Sequence, residues 1–402
     1  MRRVDRRTFA IAGMSLAGLR AAEMLRRRGF DGRIVAVNGE SHLPYDRPPL
    51  SKEFLRGEAD PEHLVLRKEG VDDLDLDWRM GTRAVALDPA ERVLTLHDGE
   101  RVAYDGLVIA TGAAPRPLPG TADLAGVFVL RELDDALALR EVLAGGPKVV
   151  VIGAGFIGAE VAAACRARHL DVTVLEALPQ PMVRGLGPEL GAVLAAVHRD
   201  HGVDLRCGVQ VEGLDGDGAG RVTGVRLAGG EVVAADVVVV GIGVVPATAW
   251  LEGSGLTIDS GVVCDATCTA APGVVVAGDV ARWPNPLFDG RMMRLEHWTN
   301  AAEQGVHVAQ RLLGDDAPYA PVPFVWSDQY DRKIQAVGVV SADAEVHVAH
   351  GSLDDRQFVA LFGQGGRIVG ALGFNRARFV MQYRRLIAER ASWDDALAQA
   401  SA

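Results

Sequence analysis

Cysteine is scarce in this chain. Four occur in 402 residues, Cys165, Cys207, Cys264 and Cys268. None has the paired spacing of a zinc site or of a redox-active Cys-x-x-Cys motif. Cys264 and Cys268, with three residues between them, read as small buried or surface side chains. Positive charge is also in deficit. Lys plus Arg number 42 against 53 Asp plus Glu, for a formal net charge of −11, which argues against general nucleic-acid binding. No apolar run reaches the roughly 18 residues of a membrane span. Low-complexity segments and short repeats are missing too. Few thiols and no membrane segment make a reducing, cytoplasmic setting the simplest reading.

Arg6-Arg7-Thr8-Phe9 and the apolar residues after it look like a twin-arginine export signal. The same residues serve better as the first strand of a nucleotide fold. Glu23 and Arg26–Arg28 follow too soon for an ordinary signal.

Glycine is abundant, with 47 residues, and two clusters stand out. Gly13-Met14-Ser15-Leu16-Ala17-Gly18 follows the apolar run Phe9–Ala12. Gly153-Ala154-Gly155-Phe156-Ile157-Gly158 follows Val149–Ile152. Each lies between a strand-like and a helix-like run, the context that makes a glycine-rich match specific for dinucleotides. Ser15 replaces the middle glycine in the first cluster. A nucleophile elbow would need G-x-S-x-G, and the spacing here is G-x-S-x-x-G.

Both clusters open βαβ patterns, Thr8–Ala12, Leu16–Gly29, Arg33–Val37 and Lys148–Ile152, Ile157–His169, Asp171–Leu175. Leu107–Gly112 (LVIATG) and Val237–Gly243 (VVVVGIG) echo each other further on, each soon followed by proline. The expected architecture is α/β: two Rossmann-like domains, the second inserted into the first, and a C-terminal α+β domain. The first is expected at 1–114 and 244–316, the second at 115–243 and the third at 317–402. Gly273–Asp279 would supply the last strand of the first domain, and Asp315–Pro323 a linker. Ile334–Val340, Glu345–Ala349, Gln357–Phe362 and Ile368–Phe374 read as an antiparallel sheet, Arg376–Glu389 and Trp393–Ala400 as helices.

Glycines at these spacings let backbone approach a pyrophosphate at a helix N-terminus. Glu40, 22 residues after Gly18, and Glu176, 18 after Gly158, are candidate ribose ligands. A carboxylate at 176 would favour NADH over NADPH. Arg184, nearby, reads as a surface residue. Glu160, near the start of its helix, could by charge alone favour the helix N-terminus. Gly243 could leave room for a nicotinamide or simply make a tight turn. The proline-rich segment His42–Lys52 could hold Arg47 and Lys52 beside an anionic cofactor, with Ser51 capping a helix that begins near Lys52. Two nucleotide sites on one chain point to electrons passing between two cofactors.

In chain order the sequence carries GxSxxG, YDRPPLSK, ATGAxPR, GAGFIGxE, GIGxxP, AGD, WxNAxxQG and FxWSDQY. This series resembles the NADH-dependent ferredoxin reductases, FAD proteins of the glutathione-reductase fold, over essentially the whole chain. The resemblance implies that Ala17 lies in the FAD pyrophosphate turn, Lys52 near the reactive edge of the flavin and Val85 at the adenine. Thr111, Gly112, Arg131, Asp279 and Trp298 would be further FAD contacts. The family's acidic ribose position falls on Gly39 here, with Glu40 next to it. Gly153, Gly155, Ile157, Gly158, Glu176 and Gly243 would line the NADH site. Glu160 would contact the nicotinamide carboxamide and pair with Lys52. Trp326 would cover the flavin on the ferredoxin side, or else be a core aromatic.

The implied activity is electron transfer from NADH through FAD to an iron–sulfur ferredoxin of 2Fe–2S or small 3Fe–4S type. That ferredoxin would serve a haem monooxygenase or a ring-hydroxylating dioxygenase. Arg376, Arg378, Arg384 and Arg385 could steer an acidic ferredoxin. No metal, nucleic acid or membrane partner is implied, and the chain is expected to be a monomer or weak homodimer. A flavin disulfide reductase, an NADH peroxidase or a coenzyme A disulfide reductase would need a cysteine near the flavin, and none precedes Cys165. Flavoproteins like apoptosis-inducing factor share the fold but usually carry targeting or basic surfaces.

Overall fold

The computed structural model describes residues 6–66, 72–121 and 124–400. Two compact units emerge. One comprises 1–46, 65–114 and 245–323; the other comprises 47–64, 115–244 and 324–402.

A six-stranded sheet forms the heart of the first unit, in the order Thr269–Ala271, Val274–Val276, Gly106–Ile109, Thr8–Ala12, Arg33–Asn38, Leu76–Met80. All neighbours are parallel except the Thr269–Ala271 edge. The central strands are continuous runs of Val, Ile, Leu, Ala and Phe, as strands buried on both faces require. Thr8–Ala12 lies between the strand that follows it in the chain and one that returns much later. Its carboxyl end is therefore the topological switch point, where ligands gather in open α/β sheets. Helix Leu16–Arg27 begins there and packs against helix Trp298–Leu312. The approach is close because position 305 is glycine. A Cβ there would come within 2.3 Å of the Ala17 carbonyl oxygen.

The second unit repeats the plan. Its parallel sheet runs Asp204–Cys207, Val172–Glu176, Val149–Ile152, Val237–Val240, Val127–Phe128. Val149–Ile152 is the switch strand, and helix Phe156–Ala167 follows it. The segment 47–64 packs here. Its helix Glu53–Arg56 touches helices Leu133–Leu143 and Phe156–Ala167. Arg168 donates to the Leu55 carbonyl (2.7 Å) and Arg140 to that of Ala59 (2.9 Å).

The C-terminal residues form a five-stranded antiparallel sheet ordered Phe324–Gln329, Arg332–Gly338, Arg367–Phe374, Gln357–Gln364, Glu345–Ser352, followed by helices Ala377–Ala388 and Trp393–Ala400. Its first strand is the FxWSDQY segment, which alternation alone did not mark. This sheet shares a core with helical residues 183–200. Leu186, Leu190, Leu194 and Val197 form an apolar stripe at helical spacing and pack on Ile334, Phe358, Phe362, Leu372 and Phe374. Residues 183–200 are two helical stretches broken at Gly187 (φ 79°, ψ 172°), just before Pro188. Among the described residues, no helix is long and apolar enough to cross a membrane.

Candidate functional site

The first glycine turn is built by backbone crowding. Gly13 has φ 103°, and its amide donates to the Val37 carbonyl (2.9 Å). A Cβ on Gly13 would sit 2.3 Å from the Ala110 carbonyl oxygen, and one on Gly18 would sit 2.0 Å from the Gly13 oxygen. Side chains are excluded at both positions, so the helix N-terminus is drawn tightly to the strand end. Ser15 is the helix N-cap, in extended backbone (φ −71°, ψ −161°), with no side-chain bond to the helix amides.

Of the further candidates of the first unit, Ala17 and Thr111 adjoin this turn. Ala17 lies under the Gly278-Asp279-Val280 turn, where a Cβ on Gly278 would be 3.3 Å from the Ala17 Cβ. The Gly278 amide donates to Gln304 Oε1 (2.9 Å), a fully buried side chain. Thr111 Oγ1 donates to the Ala247 carbonyl (3.0 Å), and Gly112 has φ 69°. Trp298 Nε1 donates to Asp46 (2.6 Å). Glu40 accepts from the Tyr45 hydroxyl (2.5 Å). By strand register it is Asn38 that ends the second strand, two residues before Glu40. Val85 is exposed on a separate small sheet. His297, which no sequence signal marked, caps helix Trp298–Leu312. Its Nδ1 is buried without a partner, and burial lowers its pKa to about 4 despite Asp279 nearby. A neutral imidazole with an open ring nitrogen, beside Asp279 and Trp298, fits a polar ligand edge.

In the second unit the turn is drawn almost identically, with Gly153 at φ 101° and its amide on the Leu175 carbonyl (2.8 Å). Gly155 and Gly243 face open space, since a Cβ at either would meet nothing within 4 Å. Ile157, in the first helical turn, is 47% exposed. Glu176 spans the turn, with one carboxylate oxygen on the Ala154 amide (2.8 Å) and the other on that of Leu178 (2.8 Å). These open glycines and this fixed carboxylate fit an extended dinucleotide. Arg47 Nη1 donates to the Arg131 carbonyl (2.7 Å), so these two candidates lie together.

The densest polar cluster lies in the same unit. Lys52 Nζ meets Glu160 Oε2 at 2.7 Å, with side chains only 7% and 4% exposed. Ser51 Oγ donates to the same oxygen (2.5 Å), and Ser327 Oγ donates to Oε1 (2.6 Å). Gln329 Nε2 donates in turn to Ser327 Oγ (3.1 Å), and Lys52 Nζ also reaches the Pro48 carbonyl (3.0 Å). A buried carboxylate needs such compensation. Ser51 is thus not a helix cap. Residues 48–51 form a 3₁₀ turn, Lys52 occupies the cap position, and the Ser51 hydroxyl is used by Glu160. Ser327 was missed because its partner Glu160 is distant in sequence, and Gln329 with it because it acts through Ser327. Composition alternates nowhere in Phe324–Gln329, and only the two-residue side-chain period of an extended strand offers a signal. That period places Ser327 and Gln329 on one face, with half-buried Trp326, stacked on Phe324 (6.0 Å), on the other.

All four cysteines are free. Burial pushes the Cys165 and Cys268 thiols up to about 12 and raises Cys207 and Cys264 as well. Thiols held protonated are poor nucleophiles. Among the described residues, no group of three or more His, Cys, Asp or Glu could hold a metal ion.

Two Rossmann-like units with duplicated glycine turns and a buried lysine–glutamate pair define a two-nucleotide oxidoreductase. Residues 7–305 match the pyridine nucleotide-disulphide oxidoreductase family, and 324–402 match the reductase C-terminal family. Rhodocoxin reductase of Rhodococcus erythropolis is 40% identical over 385 residues, 95% of this chain and 89% of that protein. The ferredoxin–NAD(+) reductase component of the biphenyl dioxygenase system of Paraburkholderia xenovorans is 36% identical, over 96% of this chain and 94% of its own. The crystal structure of the covalent putidaredoxin reductase–putidaredoxin complex superposes with a TM-score of 0.91 at 33% identity, covering 96% of this chain and 93% of that one. The chain belongs to the pyridine nucleotide-disulphide oxidoreductase family, within its group of FAD- and NADH-dependent ferredoxin reductases.

Proposed function

We propose that this protein passes electrons from NADH, through FAD, to an iron–sulfur ferredoxin that supplies a haem monooxygenase or a ring-hydroxylating dioxygenase. The paired glycine turns, one of them in the unit that holds the Lys52–Glu160 cluster, carry this reading. Flavin, when bound, accepts a hydride from NADH and releases the electrons singly, which a nicotinamide does not do.

The residues divide the labour. Gly13, Ser15, Ala17 and Gly18 take the FAD pyrophosphate, with Glu40 at the ribose, Val85 at the adenine, and Thr111, Gly112, Asp279 and Trp298 along the cofactor. Arg47 and Arg131 supply positive charge to the same cofactor. Gly153, Gly155, Ile157 and Gly158 take the NADH pyrophosphate, and Gly243 leaves space for the nicotinamide. Glu176 binds the ribose hydroxyls and repels a 2′-phosphate. Lys52 stabilises negative charge arising on the flavin, Glu160 orients the nicotinamide carboxamide, and Trp326 shields the side that faces the ferredoxin. Alignment and electrostatics suffice, so no protein nucleophile is needed.

A cluster of 2Fe–2S or small 3Fe–4S type is the proposed acceptor. Exposed Arg378 and Arg385, with half-buried Arg376 and Arg384, favour an acidic one. The protein acts as a monomer or weak homodimer. A cytoplasmic setting accords with its four free thiols.

Anaerobic stopped-flow mixing tests the reading. NADH should bleach the FAD-loaded protein at least about tenfold faster than NADPH, and an oxidised 2Fe–2S ferredoxin should restore the colour. Bleaching by NADH that no ferredoxin reverses would favour an interaction flavoprotein instead.

A further inference from the structure

Glu160 is the one charged acceptor in the buried cluster, and its lone pairs can be counted. A carboxylate offers about four acceptor sites, two on each oxygen. Oε2 takes Lys52 Nζ and the Ser51 hydroxyl, which fills it. Oε1 takes the Ser327 hydroxyl. Donor directions follow from chemistry. The carboxylate can only accept, and Gln329 Nε2 can only donate, so the Ser327 oxygen accepts from Gln329 and its proton must point to Glu160. One acceptor site, on Oε1, remains for a ligand.

We propose that Ser327 is a positioning residue for the nicotinamide. It occupies one lone pair of Glu160 Oε1, fixes the carboxylate plane, and leaves a single directed acceptor for the carboxamide N–H. This rests on the nicotinamide-side reading of Glu160 given above. Ser327 lies far along the chain from the GAGFIGAE turn, yet is fully buried against it. Strand Phe324–Gln329 thereby takes part in dinucleotide recognition through the face opposite Trp326. Without Ser327 the carboxylate keeps two bonds on Oε2 but can swing about them. An amide donor then meets a mobile acceptor.

The test compares two dinucleotides on FAD-loaded protein. NADH carries the carboxamide; the reduced 3-acetylpyridine analogue carries a methyl ketone with no N–H to give. For Ser327→Ala, half-saturation by NADH should rise about tenfold, the weight of one hydrogen bond to a charged group. The limiting rate of flavin bleaching should stay within about twofold, and half-saturation by the analogue should barely move. Binding of the unreactive 1,4,5,6-tetrahydro-NADH, followed by its perturbation of flavin absorbance, should weaken by the same factor. Ser327→Thr, which keeps the hydroxyl, should restore most of the affinity. Gln329→Met, which removes only the donor that orients Ser327, should give a smaller loss of the same kind and guards against a misfolded alanine variant. Equal loss for both dinucleotides, or no loss for either, would overturn the proposal. Failure of NADH to bleach the unaltered protein would instead overturn the functional reading beneath it.

Discussion

The two glycine turns are near copies whose surroundings have diverged. Gly13 and Gly153 differ by 2° in φ (103° against 101°). Their excluded Cβ positions lie 2.3 and 2.4 Å from equivalent carbonyls, of Ala110 and Gly241. Gly18 and Gly158 crowd the first glycine at 2.0 and 2.1 Å. Divergence begins at the next positions out. The strand after the helix ends in Asn38 in one unit and Glu176 in the other. Two residues after the last glycine of its cluster, the first unit has Arg20, paired with Glu23. The second has Glu160, buried on Lys52. The duplicated backbone is the constant part of the two turns; the side chains one shell out are where they differ.

The largest effect should come from breaking one turn alone. Gly18→Val drives a side chain into the Gly13 carbonyl, and we expect protein purified without flavin, its FAD-to-protein ratio down more than about tenfold. Next comes the buried pair. Lys52→Met strands the Glu160 charge, and urea unfolding of the FAD-loaded protein should show a loss of about 3–5 kcal/mol.

Much of this comparison was legible in the sequence, and the reasons are physical. Glycine turns, their flanking strands and the Ala110 and Gly241 echoes are local, so periodicity and spacing expose them. The Lys52–Glu160 contact followed from a family resemblance rather than from spacing, because its partners are over a hundred residues apart. Ser327 and Gln329 lie in a strand that the sequence reading did not mark, and nothing local says what a buried serine donates to. The cap expected of Ser51 failed for the same reason: a distant carboxylate outcompeted nearby amides. The core shared by Leu186–Val197 and the C-terminal sheet was hidden likewise, each half showing only an apolar face.

Glu176 sharpens the contrast at a smaller scale. Glu176→Ala removes the carboxylate from the Ala154 and Leu178 amides, and the preference for NADH over NADPH in kcat/KM should fall about tenfold. A separate effect, confined to acid pH, concerns stability. His198, on the stripe-bearing helix, bonds the Tyr330 hydroxyl at 2.8 Å, and burial lowers its pKa from 6.5 to about 4. The unfolded chain binds the extra proton first as pH falls below 6.5. Stability is therefore complete above that value and is lost progressively down to about 4, by at most roughly 3 kcal/mol. Thermal melts of His198→Gln should lose part of this acid sensitivity; an unchanged slope would remove His198 from the account.

The central claim is that the second turn serves NADH and the first serves FAD. Gly158→Val tests it most directly, because a Cβ at 158 would meet the Gly153 carbonyl at 2.1 Å while the first turn is untouched. The variant should purify yellow with full FAD and, once reduced by dithionite, should still reduce ferredoxin. Its bleaching by NADH, followed anaerobically by stopped-flow absorbance, should slow more than about a hundredfold. A yellow Gly158→Val protein that NADH bleaches at the unaltered rate would contradict the account.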